Sequence, residues 1–248
     1  MEPNDILKLD QIARAKDLLL EYPDDRERVA RLIACLNEQQ WKDCPMSWKR
    51  VVVKSADKMI KEISASMIKL DLGCGRRKRK GYIGVDIMEG SDIVANLTKD
   101  NLPFADSTVD AVYSDHFLEH LAIEDITKLM EDIHRVCRNG AIVEIRVPHF
   151  SGFTNFYEYH KTSFRLNSFA EFLWEEGMFL SKAKFNLISR RINLVNRQSP
   201  KNRAVTKWFI WNYPMEWLVN KMPRVYEMSG WRSLFPAWEI RFKFKVTK

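Results

Sequence analysis

The chain lacks most of the features that would set it apart from an ordinary globular protein. Its four cysteines, Cys35, Cys44, Cys74 and Cys137, stand far apart, with no CxxC pair and no Cys/His cluster. That spacing speaks against a structural zinc site and suits reduced thiols in a cytoplasmic protein. No run of about 18 apolar residues occurs, so no membrane-spanning helix is expected. The N-terminus is charged and polar, without a signal-peptide pattern. Internal repeats and low-complexity linkers are also missing. A chain of 248 residues with 46% apolar and 29% charged content can bury a substantial core as one large domain, or one domain with an appendage. The formal net charge of +7 permits an anionic partner without requiring one.

Two regimes of patterning follow each other along the chain. Residues 5–39 read as helical, with a loose apolar stripe from Ile6 to Leu20, a break at Pro23 and Asp24, and a second stripe through Val29, Leu32, Ile33 and Leu36. Residues 40–56 read as a packed loop in which Val51–Val53 forms a short strand or a buried turn, and Asp57–Ala65 as a weak helix. From residue 67 short apolar runs alternate with helical stretches. Strands are expected at Met67–Leu72, Tyr82–Asp86, Ile93–Leu97, Val109–Ser114, Ala141–Val147, Phe179–Leu187 and Ala237–Val246. Helices are expected at Ile123–Val136 and Ser163–Glu175. This alternation predicts α/β layering with right-handed crossovers. Residues 196–235 interrupt it with Trp208, Trp211, Trp217 and Trp231 and with proline breaks. Within them Val205–Met222 reads as a bent amphipathic helix pair, and the insert as a lid or a dimerisation element, which makes a homodimer one expectation. The expected organisation is a helical extension over residues 1–65, a core over 66–195, the aromatic insert over 196–235 and a closing strand over 236–248.

The densest signal is Ile68-Lys69-Leu70-Asp71-Leu72-Gly73-Cys74-Gly75, followed by a second apolar run that ends at Asp86. A strand ending in closely spaced glycines lets a ligand approach the backbone, and an acid at the next strand tip can accept both hydroxyls of a ribose. The bland alternative is a tight turn with a surface acid. The connection from Arg76 to Lys80 is too short for a full helix between the two strands, which argues against a dinucleotide, since a pyrophosphate favours a helix N-terminus there.

Several segments in order carry a resemblance. They are Leu70-Asp71-Leu72-Gly73-Cys74-Gly75, Gly84-Val85-Asp86-Ile87, Asn101 to Asp110, Tyr113 to Leu121, and Ile133 to Ala141. Over residues 67–148 the chain resembles the class I S-adenosylmethionine-dependent methyltransferases. The resemblance implies a Rossmann-like seven-stranded sheet with helices on both faces and a reversed hairpin at its end. It also implies S-adenosyl-L-methionine as cofactor and S-adenosyl-L-homocysteine as product. On the same basis Asp71, Gly73, Cys74 and Gly75 line the methionine portion and Asp86 takes the ribose. Ile87 packs on adenine, with Asn96 and Leu97 beside it, and Ser114, Asp115 and His116 lie near the sulfonium and the substrate.

All five histidines fall between His116 and His160. A hydroxyl or protonated amine acceptor needs a base, and histidine is the natural one near neutral pH. His149 and His160 are the candidates, with His116 as a contact. The bland reading makes His134 a helix-surface residue and His120 a structural one. Arg146, Asn155, Tyr157, Tyr159, Tyr226 and Trp231 are the candidate substrate contacts. Glu119 and His116 have metal-like spacing but no third ligand at short range, and Glu158 with His160 could complete a site only through tertiary contact, so no metal is expected. The run Arg76-Arg77-Lys78-Arg79-Lys80 reads as a solvated turn, or as a contact to an anion. The expected activity is methyl transfer to an oxygen or nitrogen of a polar small molecule: a sugar, a heterocycle or a cofactor precursor. The absence of an Asn/Asp-Pro-Pro-Tyr tetrad weighs against the familiar amino-methylating nucleic-acid enzymes. An RNA or protein methyltransferase, and a non-catalytic regulatory or scaffold protein that binds the cofactor, are the alternatives.

Overall fold

The computed structural model describes residues 3–21, 25–33, 38–173, 181–195 and 212–248. Its centre is a seven-stranded sheet in the order β3-β2-β1-β4-β5-β7-β6. The strands are β1 (Lys69–Leu72), β2 (Ile83–Asp86), β3 (Ile93–Val94), β4 (Val109–Asp115), β5 (Cys137–Pro148), β6 (Phe185–Asn193) and β7 (Glu239–Val246). The first five run parallel to one another, while β7 slots antiparallel between β5 and β6. The chain runs outward from β1 through β2 to β3, then returns to place β4 on the other side of β1. That reversal opens a crevice at the carboxyl ends of β1 and β4, where Leu72 pairs with Ser114.

Burial explains why these runs become central strands. Leu70, Leu72, Val85, Val112, Val143 and Ile145 are all buried, as expected for a parallel sheet covered on both faces. Helix α5 (Ile123–Val136) turns Ile126, Leu129, Met130, Ile133 and Val136 inward at helical spacing, and acids open it while His134 and Arg135 close it. The N-terminal helices α1 (Pro3–Glu21), α2 (Arg26–Ile33), α3 (Glu38–Asp43) and α4 (Met46–Ala65) build a second, smaller cluster of Ala15, Val29, Ala30, Ile60, Ile63 and Met67.

Several sequence expectations change. The loop and short strand expected within residues 40–56, and the weak helix at Asp57–Ala65, are one continuous helix, α4. Pro45 stands in extended conformation just ahead of it, and Val52 and Val53 pack against the small cluster, so tertiary burial overrides the poor helix preference of a valine run. The described part of Ser163–Glu175 is a turn followed by a 3-10 turn at Ala170–Phe172, not an α-helix. There the Ser168 hydroxyl accepts the Arg165 N–H, while bridges from Phe164 to His149 and from Leu173 to Phe185 pull both ends into extended chain. Strand β3 stops at Val94 because Asn96 folds its side-chain oxygen back onto Thr98 N. Strand β6 starts later than expected and runs on to Asn193, pairing with β7 on either side of an irregularity at Ile188. The break at Pro23 and Asp24, residues 179–180, and the insert from 196 to 211 with Trp208 and Trp211 lie outside the described residues. The rest of the insert forms α6 (Asn212–Lys221), α7 (Pro223–Met228) and α8 (Trp231–Leu234).

Candidate active site

The crevice is a cleft of about 420 Å³ lined by Asp71, Gly73, Cys74, Arg77, Arg79, Tyr113, Asp115 and Arg146. The volume is in the range of small-ligand sites. Its floor is made where β1 ends. Asp71 is buried, and its carboxylate accepts the Arg79 N–H at 2.7 Å, tying down the helix-free connection of residues 73–82. Burial raises its pKa, partly offset by that hydrogen bond. Gly73 sits at φ +68°, and a side chain there would collide with the Phe117 ring. Gly75 sits at φ +50° and opens onto free space. The first glycine is therefore required by internal packing, and the second leaves open space next to Asp86, which accepts its N–H. The Cys74 thiol is pushed up by burial and is held protonated.

Asp86 stands at the tip of β2. One carboxylate oxygen accepts Gly75 N at 2.8 Å and the other accepts Met88 N at 3.0 Å. Each oxygen keeps a further lone pair, so the carboxylate is fixed in place and still able to accept two hydroxyls. Beside it Ile87 is 65% exposed and Val94 57% exposed, an apolar shelf that suits a flat ring. The residues present therefore fit an adenosine: a fixed acceptor for the sugar, an apolar shelf for the base, and an open glycine next to that acceptor. Asn96 is engaged in its own turn, Leu97 is a buried core residue, and Ser114 donates its hydroxyl to Leu72 O at 3.2 Å. The side chains of Leu97 and Ser114 thus face the protein, leaving them only backbone groups to offer a ligand.

The opposite wall carries the charge. The Arg79 guanidinium lies 4.2 Å from the Tyr113 ring centre and Arg146 lies 5.7 Å from it. Tyr113 donates its hydroxyl to one oxygen of Asp115 at 2.9 Å, while the other oxygen, Oδ1, is buried without a hydrogen bond. Burial pushes the Tyr113 phenol well above its ordinary value, and the Asp115 charge adds to this. His116 follows at φ +53°. Its Nδ1 faces Glu119 at 3.3 Å and its Nε2 faces Glu239 at 3.5 Å. Burial alone would lower its pKa, but the surrounding carboxylates outweigh this and raise it to about 10.

The sequence candidates therefore separate. Asp71, Gly73, Cys74, Asp115 and Arg146 meet in the cleft, with Asp86 and Ile87 beside it at the tip of β2. His116 borders the cleft as a cation and has no lone pair to act as a base. His149 is 0% exposed and both its nitrogens are engaged, Nδ1 with Ser151 and Nε2 with Glu227 at 3.0 Å. It clamps the loop after β5 to α7. His160 lies instead beside Glu119, and burial lowers its pKa. Asn155 accepts the Ser163 hydroxyl, while the Tyr157 and Tyr159 rings are exposed. Tyr226 is fully buried and donates to Phe235 O, and Trp231 packs on the core. His134, expected on the surface, is half-buried and bonded through Nε2 to Thr247 O. Arg79 and Tyr113, which shape the wall, had no individual sequence signal beyond the basic run and the strand end.

A family model described as "Methyltransferase domain" matches residues 62–145. No curated protein matches the sequence. Among solved structures the chain is similar to a SAM-dependent methyltransferase from Archaeoglobus fulgidus, 20% identical, with 79% of this chain and 93% of that one covered and a TM-score of 0.45. It is similar to a second one, from Mesorhizobium loti, at 15% identity, 73% and 91% coverage and a TM-score of 0.43. A third is the geranyl diphosphate C-methyltransferase of Streptomyces coelicolor A3(2), at 10% identity, 79% and 81% coverage and a TM-score of 0.46.

Proposed function

We propose, starting from the match of residues 62–145 to a methyltransferase domain and from the resemblance to the class I S-adenosylmethionine-dependent family, that the chain methylates an oxygen or nitrogen of a polar small molecule. The enzyme class and the cofactor come with the family. The acceptor is our own reading, with a sugar, a heterocycle or a cofactor precursor as its range. The observation that carries it is the cleft. At about 420 Å³, with arginines, a tyrosine and two aspartates on its walls, it suits a small polar guest beside a nucleoside.

When bound, the cofactor supplies an electrophilic methyl group on a sulfonium. The protein's own task is to align the acceptor with that methyl and keep water out. We assign Asp86 to the ribose, Ile87 to the adenine face, and the turn from Asp71 to Gly75 to the amino-acid end. Arg79 and Arg146, braced by Tyr113, would hold an anionic or oxygen-rich part of the acceptor. Asp115 accepts the Tyr113 hydroxyl and so orients the ring that braces the two arginines, while its Oδ1 turns inward toward His116. We keep His149 out of the reaction because its nitrogens are already engaged.

A second reading has one observation in its favour. Arg76 to Lys80 are all exposed along the rim of the cleft, as a polyanion or an acidic protein would need. Incubating the protein with methyl-labelled cofactor and a cell extract, then separating small solutes from RNA and protein, decides between them. Label in the small-solute fraction is the expected result. Label confined to RNA or protein overturns the small-molecule reading.

A further inference from the structure

Next to the cleft lies a buried polar cluster that the methyl-transfer scheme leaves unused. Glu119 is 1% exposed, and neither of its carboxylate oxygens accepts a hydrogen bond. The nearest imidazoles, His116 Nδ1 at 3.3 Å and His160 Nε2 at 4.0 Å, both approach Oε1. Burying a carboxylate without hydrogen bonds is costly, and such groups are kept where they pair with a cation or bind a metal.

The fold delivers two imidazoles to this carboxylate. Beyond β4 the chain reverses at His116 and forms a 3-10 turn, Leu118–His120, which sets Glu119 and His120 side by side. The segment that ends the exposed aromatic loop docks back on this turn. Lys161 N and Thr162 N donate to Glu119 O at 2.7 and 3.2 Å, and the Thr162 hydroxyl donates to Leu121 O at 2.7 Å. These bonds bring in His160, whose ring packs edge-on against His120 at 5.0 Å. One ligand atom from each of Glu119, His120 and His160 lies within 4.8 Å of the others.

The ring of His120 has a backbone carbonyl behind one of its nitrogens. Its Nδ1 is 3.3 Å from Tyr159 O. A carbonyl can only accept, so the Nδ1 hydrogen points to it, and Nε2 is the nitrogen left to serve as a ligand. A backbone carbonyl on the far nitrogen is the usual support behind a metal-bound histidine. His160 Nδ1 is buried without a partner. His116 differs, because carboxylates face both of its nitrogens and it serves as the cation of the cluster.

We propose that Glu119, His120 and His160 bind one divalent transition-metal ion, of the zinc, manganese or iron(II) kind, through one carboxylate and two imidazoles. Imidazole ligands favour such ions over magnesium or calcium. Ligand bonds of about 2 Å place cis ligand atoms roughly 3 to 4 Å apart, so a small contraction of the side chains closes the site. Three protein ligands leave positions open for water or for an oxygen of the acceptor. His116 bridges the metal carboxylate to Asp115 on the cleft wall. The ion's part in catalysis rests on the methyl-transfer reading, whereas its binding does not.

The test uses the untagged full chain, stripped with a chelator and titrated with Co²⁺ alone, followed by calorimetry and visible absorption. One equivalent is expected to bind with a d–d band, and Zn²⁺ is expected to displace it. His120→Ala and His160→Ala are each expected to weaken binding at least tenfold. Glu119→Gln removes a buried charge and could fail to fold, so the exposed His120 gives the decisive variant, with circular dichroism as the folding control. Absence of stoichiometric Co²⁺ binding, or wild-type affinity in both histidine variants, overturns the proposal. S-adenosylhomocysteine calorimetry on the same samples separates the two ideas. Cofactor binding without Co²⁺ binding removes the metal alone, and Co²⁺ binding without cofactor binding removes the methyl-transfer reading alone.

Discussion

At the scale of single residues, two glycines in one turn do different work. Gly73→Ala puts a methyl group into the Phe117 ring at a left-handed φ, so a stability loss of about 2 kcal/mol or more is expected in urea unfolding. Gly75→Ala meets no neighbouring atom and carries only the backbone strain of about 1 kcal/mol, yet it fills the open space next to Asp86. It is expected to weaken S-adenosylhomocysteine binding more than it weakens the fold. The reverse ranking of the two variants would show that Gly75 faces no ligand. Asp86→Ala removes an acceptor fixed by Gly75 N and Met88 N. Two lost hydrogen bonds to a charged group amount to about 3 kcal/mol, or on the order of a hundredfold in affinity by calorimetry. Near-normal affinity would end its assignment to the ribose. Asp71, the glycines and Asp86 were legible because strand tips and tight turns are written locally in the chain. His160 beside Glu119 was not, since forty-odd residues separate them and backbone bonds from Lys161 and Thr162 join them.

At the scale of elements, the loop after β5 shows how a polar network substitutes for regular structure. Glu227 on α7 accepts His149 Nε2 at 3.0 Å and Leu166 N at 2.8 Å with a single oxygen, and Ser151 links His149 to Tyr226 and to Ala237 N. Four separate segments are held by this one cluster. Glu227→Ala leaves the buried His149 Nε2 and the Leu166 N–H without partners. We expect a loss of about 2 to 4 kcal/mol in denaturant unfolding, with S-adenosylhomocysteine affinity unchanged in the folded fraction. A large loss of affinity with stability intact would instead return His149 to the reaction. Sequence reasoning took His149 for a base because it follows a strand and a proline at the sheet's carboxyl edge. Position along the chain gives the edge but not the direction of the side chain. The same gap explains α4: a run of three valines reads as strand or turn until the cluster it packs against is known. The parallel strands were easier, because burial on both faces leaves a continuous apolar signature.

At the scale of the whole molecule, two hydrophobic clusters meet through charged side chains. Arg138, at the start of β5, reaches Asp110 on β4 at 2.7 Å and Asp17 on α1 at 2.9 Å. Asp110 also accepts Ile68 N at 2.9 Å and lies 3.6 Å from Lys16. Nearby, Lys245 on β7 pairs with Glu21 at 2.8 Å, and Lys243 reaches Leu20 O. The C-terminal half of α1 is thus pinned to the sheet by polar bonds, while the apolar contacts of Ala15 stay within the helical cluster. Arg138→Gln should therefore loosen the helices without loosening the sheet. Asp110 would keep its backbone donor and Lys16, so the sheet loses little. Helix α1 would lose the partner of Asp17, a half-exposed pair for which about 1 kcal/mol is a fair figure after solvent screening. Native-state hydrogen exchange is the fitting measurement, because it resolves opening element by element. The α1 amides from Ile12 to Glu21 should exchange roughly fivefold faster, a ratio that shrinks in high salt as screening weakens the wild-type pair, while those of β4 and β5 hold their rates. Equal acceleration in helix and strand would mean that the two clusters open as one unit and that the ionic seam is no boundary.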